Sequence, residues 1–116
     1  MPGTFPTDVL SVLPAEDADI TFVDPEGYVR YFSEYRIFSR PSGCLDADVL
    51  ECHSEDSRPG IESMLAEFRD GWRDEASFLA QKSGRLVEVR YVAVRDIEGT
   101  YLGCVEVAQW APDATS

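Results

Sequence analysis

His53 is the only histidine in the chain, and it directly follows Cys52. A lone imidazole removes most familiar catalytic and metal chemistry, because triads need partner residues and zinc sites need several ligands. The three cysteines, Cys44, Cys52 and Cys104, form an odd set with no CxxC spacing. That pattern indicates neither a disulfide framework nor a cysteine zinc site, and reduced thiols are expected, for Cys44 and Cys104 above all. Glu106 is the most informative polar residue, since on a strand it shares a face with Leu102, Cys104, Ala108 and Trp110. A carboxylate among apolar neighbours needs a partner. On a covered face Glu106 pairs with an arginine, hydrogen-bonds to a ligand or takes up a proton, whereas on the opposite face it is simply solvated. The acidic stretches Asp46-Ala-Asp48, Glu55-Asp56 and Asp74-Glu75 lack the fixed glycine and paired ligands of a calcium loop and read as solvated faces. No nucleophile–base pair or phosphate loop is present, so an enzyme is not expected.

The elements that must position these residues belong to a chain of 116 residues, with 10 Lys+Arg against 22 Asp+Glu, a net charge of −12 and a pI near 4.3. With 44% hydrophobic residues it has enough apolar surface for one core. A surface this acidic repels phosphate backbones, which argues against nucleic-acid binding and against anionic membranes. No apolar run approaches the roughly 20 residues of a membrane span, and Met1–Thr7 lacks the order of a signal peptide. A cytoplasmic protein is expected.

Residues 1–13 read as a lead-in with a short helix around Val9, Leu10, Val12 and Leu13, residues 14–111 as the domain, and 112–116 as a disordered tail. Asp19-Ile-Thr-Phe-Val-Asp24 and Tyr28-Val-Arg-Tyr-Phe32, joined through Pro25 and Gly27, predict a β-hairpin. Short helical signals follow at Glu34–Phe38 and Asp46–Cys52. Ile61, Met64, Leu65 and Phe68 fall at i, i+3, i+4 and i+7 between Ser57 and Gly71, which predicts one helix over about 60–70. Arg73–Gln81, Arg85–Arg95 and Thr100–Trp110 read as an antiparallel meander. In its middle strand Val87, Val89, Tyr91 and Ala93 share one face and Glu88 and Arg90 the other.

This order of elements is similar to the PAS fold. Asp19–Asp24, Val29-Arg-Tyr-Phe-Ser33, Arg36-Ile-Phe38, Glu51-Cys-His53, Arg90–Asp96 and Tyr101–Gln109 resemble the PAS module found behind hemerythrin-like or uncharacterised helical domains of bacterial and archaeal proteins, over roughly residues 10–111. One departure stands out: Ser54-Glu-Asp-Ser57 follows the Cys-His pair where that subfamily commonly has prolines and a lysine. The resemblance implies an α+β fold, with a five-stranded antiparallel sheet in the order 2-1-5-4-3 and the helices packed on one face. It also implies sensory or signalling work, with a small molecule held between sheet and helices, or dimerisation, or both.

On that geometry the residues expected to contact a ligand are Val87, Val89, Tyr91, Cys104 and Glu106 from the sheet and Cys52 and His53 from the helical side. Thr21 and Tyr91 each bring a hydroxyl to the same face. His53 either caps a helix or bonds a loop carbonyl, or else serves as an axial haem ligand, the only metal role open to it. Flavin is not expected, although Cys52 lies near the reactive cysteine of light-sensing members. The Arg-Phe-Leu-Gln continuation is missing, and Val87 and Val89 stand where those proteins offer asparagines. Burying the flavin edge unpaired costs about 1–3 kcal/mol per group. The outer sheet face, with Arg90, Val92 and Val94, is expected to be covered by Val9, Val12 and Leu13 of the same or a neighbouring chain, giving a homodimer that serves an effector domain or partner protein. A core filled by its own side chains, in a cofactor-free interaction domain, is the alternative.

Overall fold

The computed structural model of the protein describes residues 18–38 and 42–111. The expected lead-in over 1–13, its covering role and the tail over 112–116 lie outside the described residues. Five strands, β1 (Asp19–Val23), β2 (Val29–Phe32), β3 (Glu75–Lys82), β4 (Arg85–Arg95) and β5 (Tyr101–Trp110), form one antiparallel sheet in the order 2-1-5-4-3. Among the described residues one helix, α1 (Arg58–Asp70), and two 3₁₀ turns, Ser42–Cys44 and Val49–Cys52, accompany it. The α+β architecture is the one expected.

Local chemistry explains most of the boundaries. The β1–β2 turn closes because Asp24 accepts the amides of Glu26 and Tyr28 through Oδ1 and the Arg30 guanidinium through Oδ2, while Gly27 takes φ +95°. The β3–β4 hairpin turns on Ser83 and Gly84, both at positive φ, the backbone of a two-residue turn that matches strand twist. Helix α1 has Pro59 in its first turn and ends on Gly71 at φ +83°, whose region returns amides to the Glu67 and Phe68 carbonyls. Arg95 ties that end to the sheet by donating to the Phe68 carbonyl at 2.7 Å.

One expected element is absent. Residues 34–38 bend rather than form a helix, because the buried Asp19 carboxylate accepts the amides of Ile37 and Phe38 at 2.9 and 3.0 Å, drawing the backbone out of helical pairing.

The two sheet faces build two apolar clusters. Val23, Phe68, Val87, Val89, Tyr91 and Cys104 belong to the inner cluster beneath α1. Ala18, Val94, Val105 and Val107 form the outer one, and Val94 is buried there as expected for a covered face, while Arg90 pairs with Glu75. Between the faces, Gly103 sits at φ +124° on β5, where an added Cβ would collide with the Val23 carbonyl oxygen and approach the Phe22 ring within 2.9 Å.

Gly103→Ala is therefore expected to lower the thermal midpoint by about 10 °C, the equivalent of about 2 kcal/mol, in circular-dichroism melts. Gly60→Ala, on α1 with open space at its Cβ, should hold or slightly raise the midpoint. At Asp24, burial opposes the charge, but the Tyr28 amide, the Arg30 guanidinium and the Glu26 amide outweigh it, so the pKa lies below its ordinary value. A depressed carboxyl pKa stabilises the fold at neutral pH, and this contribution is lost as pH falls below about 4. Urea midpoints measured across pH 2–7 should show a shallower acid decline in Asp24→Asn than in the wild type.

Candidate functional site: a cavity between helix and sheet

A cavity of about 670 Å³ lies between α1 and the β3–β4–β5 side of the inner sheet face. That volume suits a small organic ligand. Pairing register explains its floor. Tyr91 on β4 stands opposite Glu106 on β5, which stands opposite Thr21 on β1, so three polar side chains form one row across the inner face. The Tyr91 hydroxyl donates to Glu106 Oε2 at 2.9 Å, and both residues are buried. The covered-face reading of Glu106 is thus the observed one, and its partner includes a tyrosine hydroxyl. Thr21 Oγ1 is buried without a hydrogen-bond partner. The β3 wall follows from the hairpin: Ala76, Phe78 and Ala80 pair with Tyr91, Val89 and Val87, and the Phe78 ring stacks on Tyr91 with centroids 5.9 Å apart.

The helical side is positioned as firmly. The 3₁₀ turn Val49–Cys52 is capped by Asp48, whose side chain accepts the Leu50 amide. Arg58, at the start of α1, clamps the end of the turn by donating to the Leu50 and His53 carbonyls. His53 Nδ1 lies 2.9 Å from the Val49 carbonyl, an acceptor, so the bond calls for a proton on Nδ1. His53 and Cys52 both line the cavity, together with Ile61 and Met64 of α1 and Phe38. At the rim, Arg73 pairs with Glu67 at 3.1 Å.

Of the seven residues expected to contact a ligand, Cys52, His53, Val89, Tyr91 and Glu106 line the cavity. Val87 and Cys104 do not. They share the inner face but are sealed in the core at 0% exposure. Phe78, Ala76 and Ala80 were missed, although a two-residue turn at Ser83-Gly84 already sets them opposite Tyr91, Val89 and Val87.

The cysteine expectation needs correction. Cys44 is not a free thiol, because it forms a disulfide with Cys52 across a Cα–Cα distance of 5.8 Å. The intervening loop is held against the hairpin by Val29–Ala47 and Asp46–Val29 backbone bonds and the Tyr28–Asp48 bridge, which brings the two 3₁₀ turns together. Cys104 is the free and buried cysteine. Burial pushes its thiol up to about 12, a hydrogen bond with Tyr101 offsets part of the rise, and the Glu106 carboxylate adds to it. Iodoacetamide should therefore label no cysteine in the native protein at pH 8, one in denaturant without reductant, and three after reduction, as read by intact mass. A second label before reduction would show that Cys44 and Cys52 are thiols.

Among the described residues there is no cluster of three or more His, Cys, Asp or Glu arranged to hold a metal ion, and no helix is long and apolar enough to cross a membrane.

With this geometry in place, comparison with known proteins defines the class. A family model described as a PAS domain matches residues 10–109, and the chain belongs to the PAS domain family of sensory and signalling modules. Its structure is similar to a C-terminal domain from Streptococcus mutans (25% identity, TM-score 0.75, covering 90% of this chain and 83% of that one). It is also similar in fold to a sensory box sensor histidine kinase from Vibrio cholerae (10% identity, TM-score 0.63, covering 92% and 89%). The sensor region of a further sensor histidine kinase aligns at 15% identity and TM-score 0.65, with 93% of this chain and 44% of that chain covered. No curated protein matches the chain.

Proposed function

We propose that this PAS domain is a cytoplasmic sensory module that binds a small molecule in the cavity beneath α1. In this reading it works as a homodimer, passes its signal to an effector domain or partner protein, and catalyses no reaction. The observation that carries the reading is the cavity itself, whose floor presents the buried Tyr91–Glu106 pair beside apolar wall residues such as Phe38, Ile61, Met64, Phe78 and Val89. Apolar walls supply affinity by area, and a few fixed polar groups supply orientation and discrimination. A ligand that leaves Glu106 or Tyr91 without a partner loses affinity, because a buried polar group left unpaired costs about 1–3 kcal/mol.

A haem reading draws on one observation, that His53 lines the cavity with its Nδ1 engaged by the Val49 carbonyl, so that Nε2 is the ring nitrogen left for a metal. His53 would hold the iron, and bound haem would supply gas or redox chemistry that the side chains alone do not. Flavin fits poorly: the cavity faces of β3 and β4 carry Ala76, Phe78, Ala80, Val89 and Tyr91, and none of these offers an amide to the ring edge.

The test is native mass spectrometry of protein purified without additives, followed by thermal unfolding with haemin and with a panel of small metabolites. A ligand present at a hundred times its Kd should add about 2.7 kcal/mol, raising the midpoint by about 10 °C. Ala80→Phe, which fills the cavity, should abolish the shift, and Glu106→Gln should weaken binding at least tenfold. A Soret-type band lost in His53→Ala would identify haem. An unliganded mass and an unmoved midpoint with every compound would overturn the ligand reading in favour of a cofactor-free interaction domain.

A further inference from the structure

The sheet treats its two edges differently. At β2 the loop through Ala47 bonds to Val29 and bridges Asp48 to Tyr28, so that edge is covered. At the other end, among the described residues β3 pairs with β4 and with no other strand. Its pairing runs unbroken from Glu75 opposite Val92 to Lys82 opposite Arg85, with no bulge. Ala76 to Gln81 contains neither a charge nor a proline, and Phe78 and Leu79 are 48% and 60% exposed. Edges meant to stay alone carry bulges, prolines or inward-pointing charges.

Alternation in the ladder tells which backbone groups are free. Asp74 accepts the Ala93 amide, and the turn closes at the Lys82–Arg85 pair. The even-numbered residues of β3 therefore aim their amides and carbonyls at β4, and Glu75, Ser77, Leu79 and Gln81 aim theirs outward. A two-fold axis normal to the sheet can pair β3 only with its own copy in antiparallel registers that keep inner faces together. That condition requires paired residue numbers to have an even sum.

We propose that β3 pairs antiparallel with β3 of a second copy of this chain about a two-fold axis through Phe78, forming a continuous sheet in which each copy closes the other's cavity edge. This locates the homodimer part of the reading above and stands apart from its ligand part. Charge selects this register. Asp74 stands opposite the partner subunit's Lys82, and Lys82 opposite the partner subunit's Asp74. Asp74, exposed and already paired with Arg95 of its own chain at 3.0 Å, keeps room for a second cation, and moving the axis by one residue in either direction takes the partner subunit's Lys82 away from it. In the selected register Ser77 bonds with the partner subunit's Leu79, and Glu75 with the partner subunit's Gln81. Phe78 meets the partner subunit's Phe78 on the inner face, as a non-hydrogen-bonded pair whose side chains lie close. Phe78 lines the cavity and stacks on Tyr91, so its twin from the other copy lies at the mouth of the binding site.

Sedimentation equilibrium of the purified chain from 1 µM to 1 mM is the test. The wild type should be dimeric at the upper concentrations. Ser77→Pro removes only an outward-facing amide, a position where proline is tolerated. Leu79→Lys adds the kind of charge that natural edges use. Both variants should be monomeric throughout and keep the wild-type circular-dichroism spectrum. Lys82→Asp should weaken the dimer at least tenfold. Phe78→Cys should form a covalent dimer with oxidised glutathione as the electron acceptor, whereas Leu79→Cys should not. A wild type that is monomeric at 1 mM, or a dimer indifferent to Ser77→Pro and Leu79→Lys, would overturn the proposal while leaving the cavity tests untouched.

Discussion

The pairing of Glu106 with Tyr91 is the interaction around which this fold is arranged. β5 is the middle strand, buried without a break from Gly103 to Ala108. A carboxylate in such a strand is tolerable only if a donor stands beside it, and antiparallel register is what places the Tyr91 hydroxyl there. A one-residue slip of β4 against β5 would turn Tyr91 to the outer face and take its hydroxyl away from Glu106. On the other side of β5, Gly103 stands where an added Cβ would collide with the Val23 carbonyl, so glycine there holds the register of β5 against β1. A hydrogen-bonded pair toward β4 and a close backbone approach toward β1 thus hold β5 in register with both of its neighbours.

Cavity and open edge arise from the same shortage of cover. A thirteen-residue helix is about 20 Å long and about 10 Å across, whereas five strands span about 19 Å from first to last. Helix α1 alone cannot roof that sheet. Over β1 and β2 the remaining roof is built from the 3₁₀ turns and residues 36–38, pinned by Asp19 and joined by the Cys44–Cys52 disulfide. Nothing equivalent among the described residues covers β3, which is why Phe78, on the inner face, is half-exposed while Val89 beside it is buried.

Much of this was legible in the sequence, because the signals were local. Alternation in β4 assigned Val87, Val89 and Tyr91 to one face, the 61-64-65-68 spacing gave the helix, and turn residues located both hairpins. The sheet order came from family resemblance rather than from any residue pattern. The failures were tertiary. Residues 34–38 carry a helical signal that a carboxylate fifteen or more positions away overrides. Cys44 and Cys52 meet because a loop is stapled to the hairpin, which spacing alone does not reveal. Val87 and Cys104 share the correct face, but periodicity cannot tell a residue under the roof from one beside the opening.

Sensing requires that occupancy of the cavity change something outside it, and the contacts present a short route. Glu106 holds Tyr91, Tyr91 stacks on Phe78, and Phe78 stands on the edge strand β3. A ligand that displaces the Tyr91 ring displaces the platform on which Phe78 rests. If two copies join at that strand, ligand binding and dimerisation are linked, and each alters the other by the same factor. The linkage exists only to the extent that the ligand contacts the paired and unpaired forms differently. Because the partner subunit's Phe78 stands at the cavity mouth in the paired form and is absent in the unpaired one, such a difference in contacts follows from the geometry. A PAS domain built this way needs no moving lid, since the edge that completes the site is also the one that reports on it.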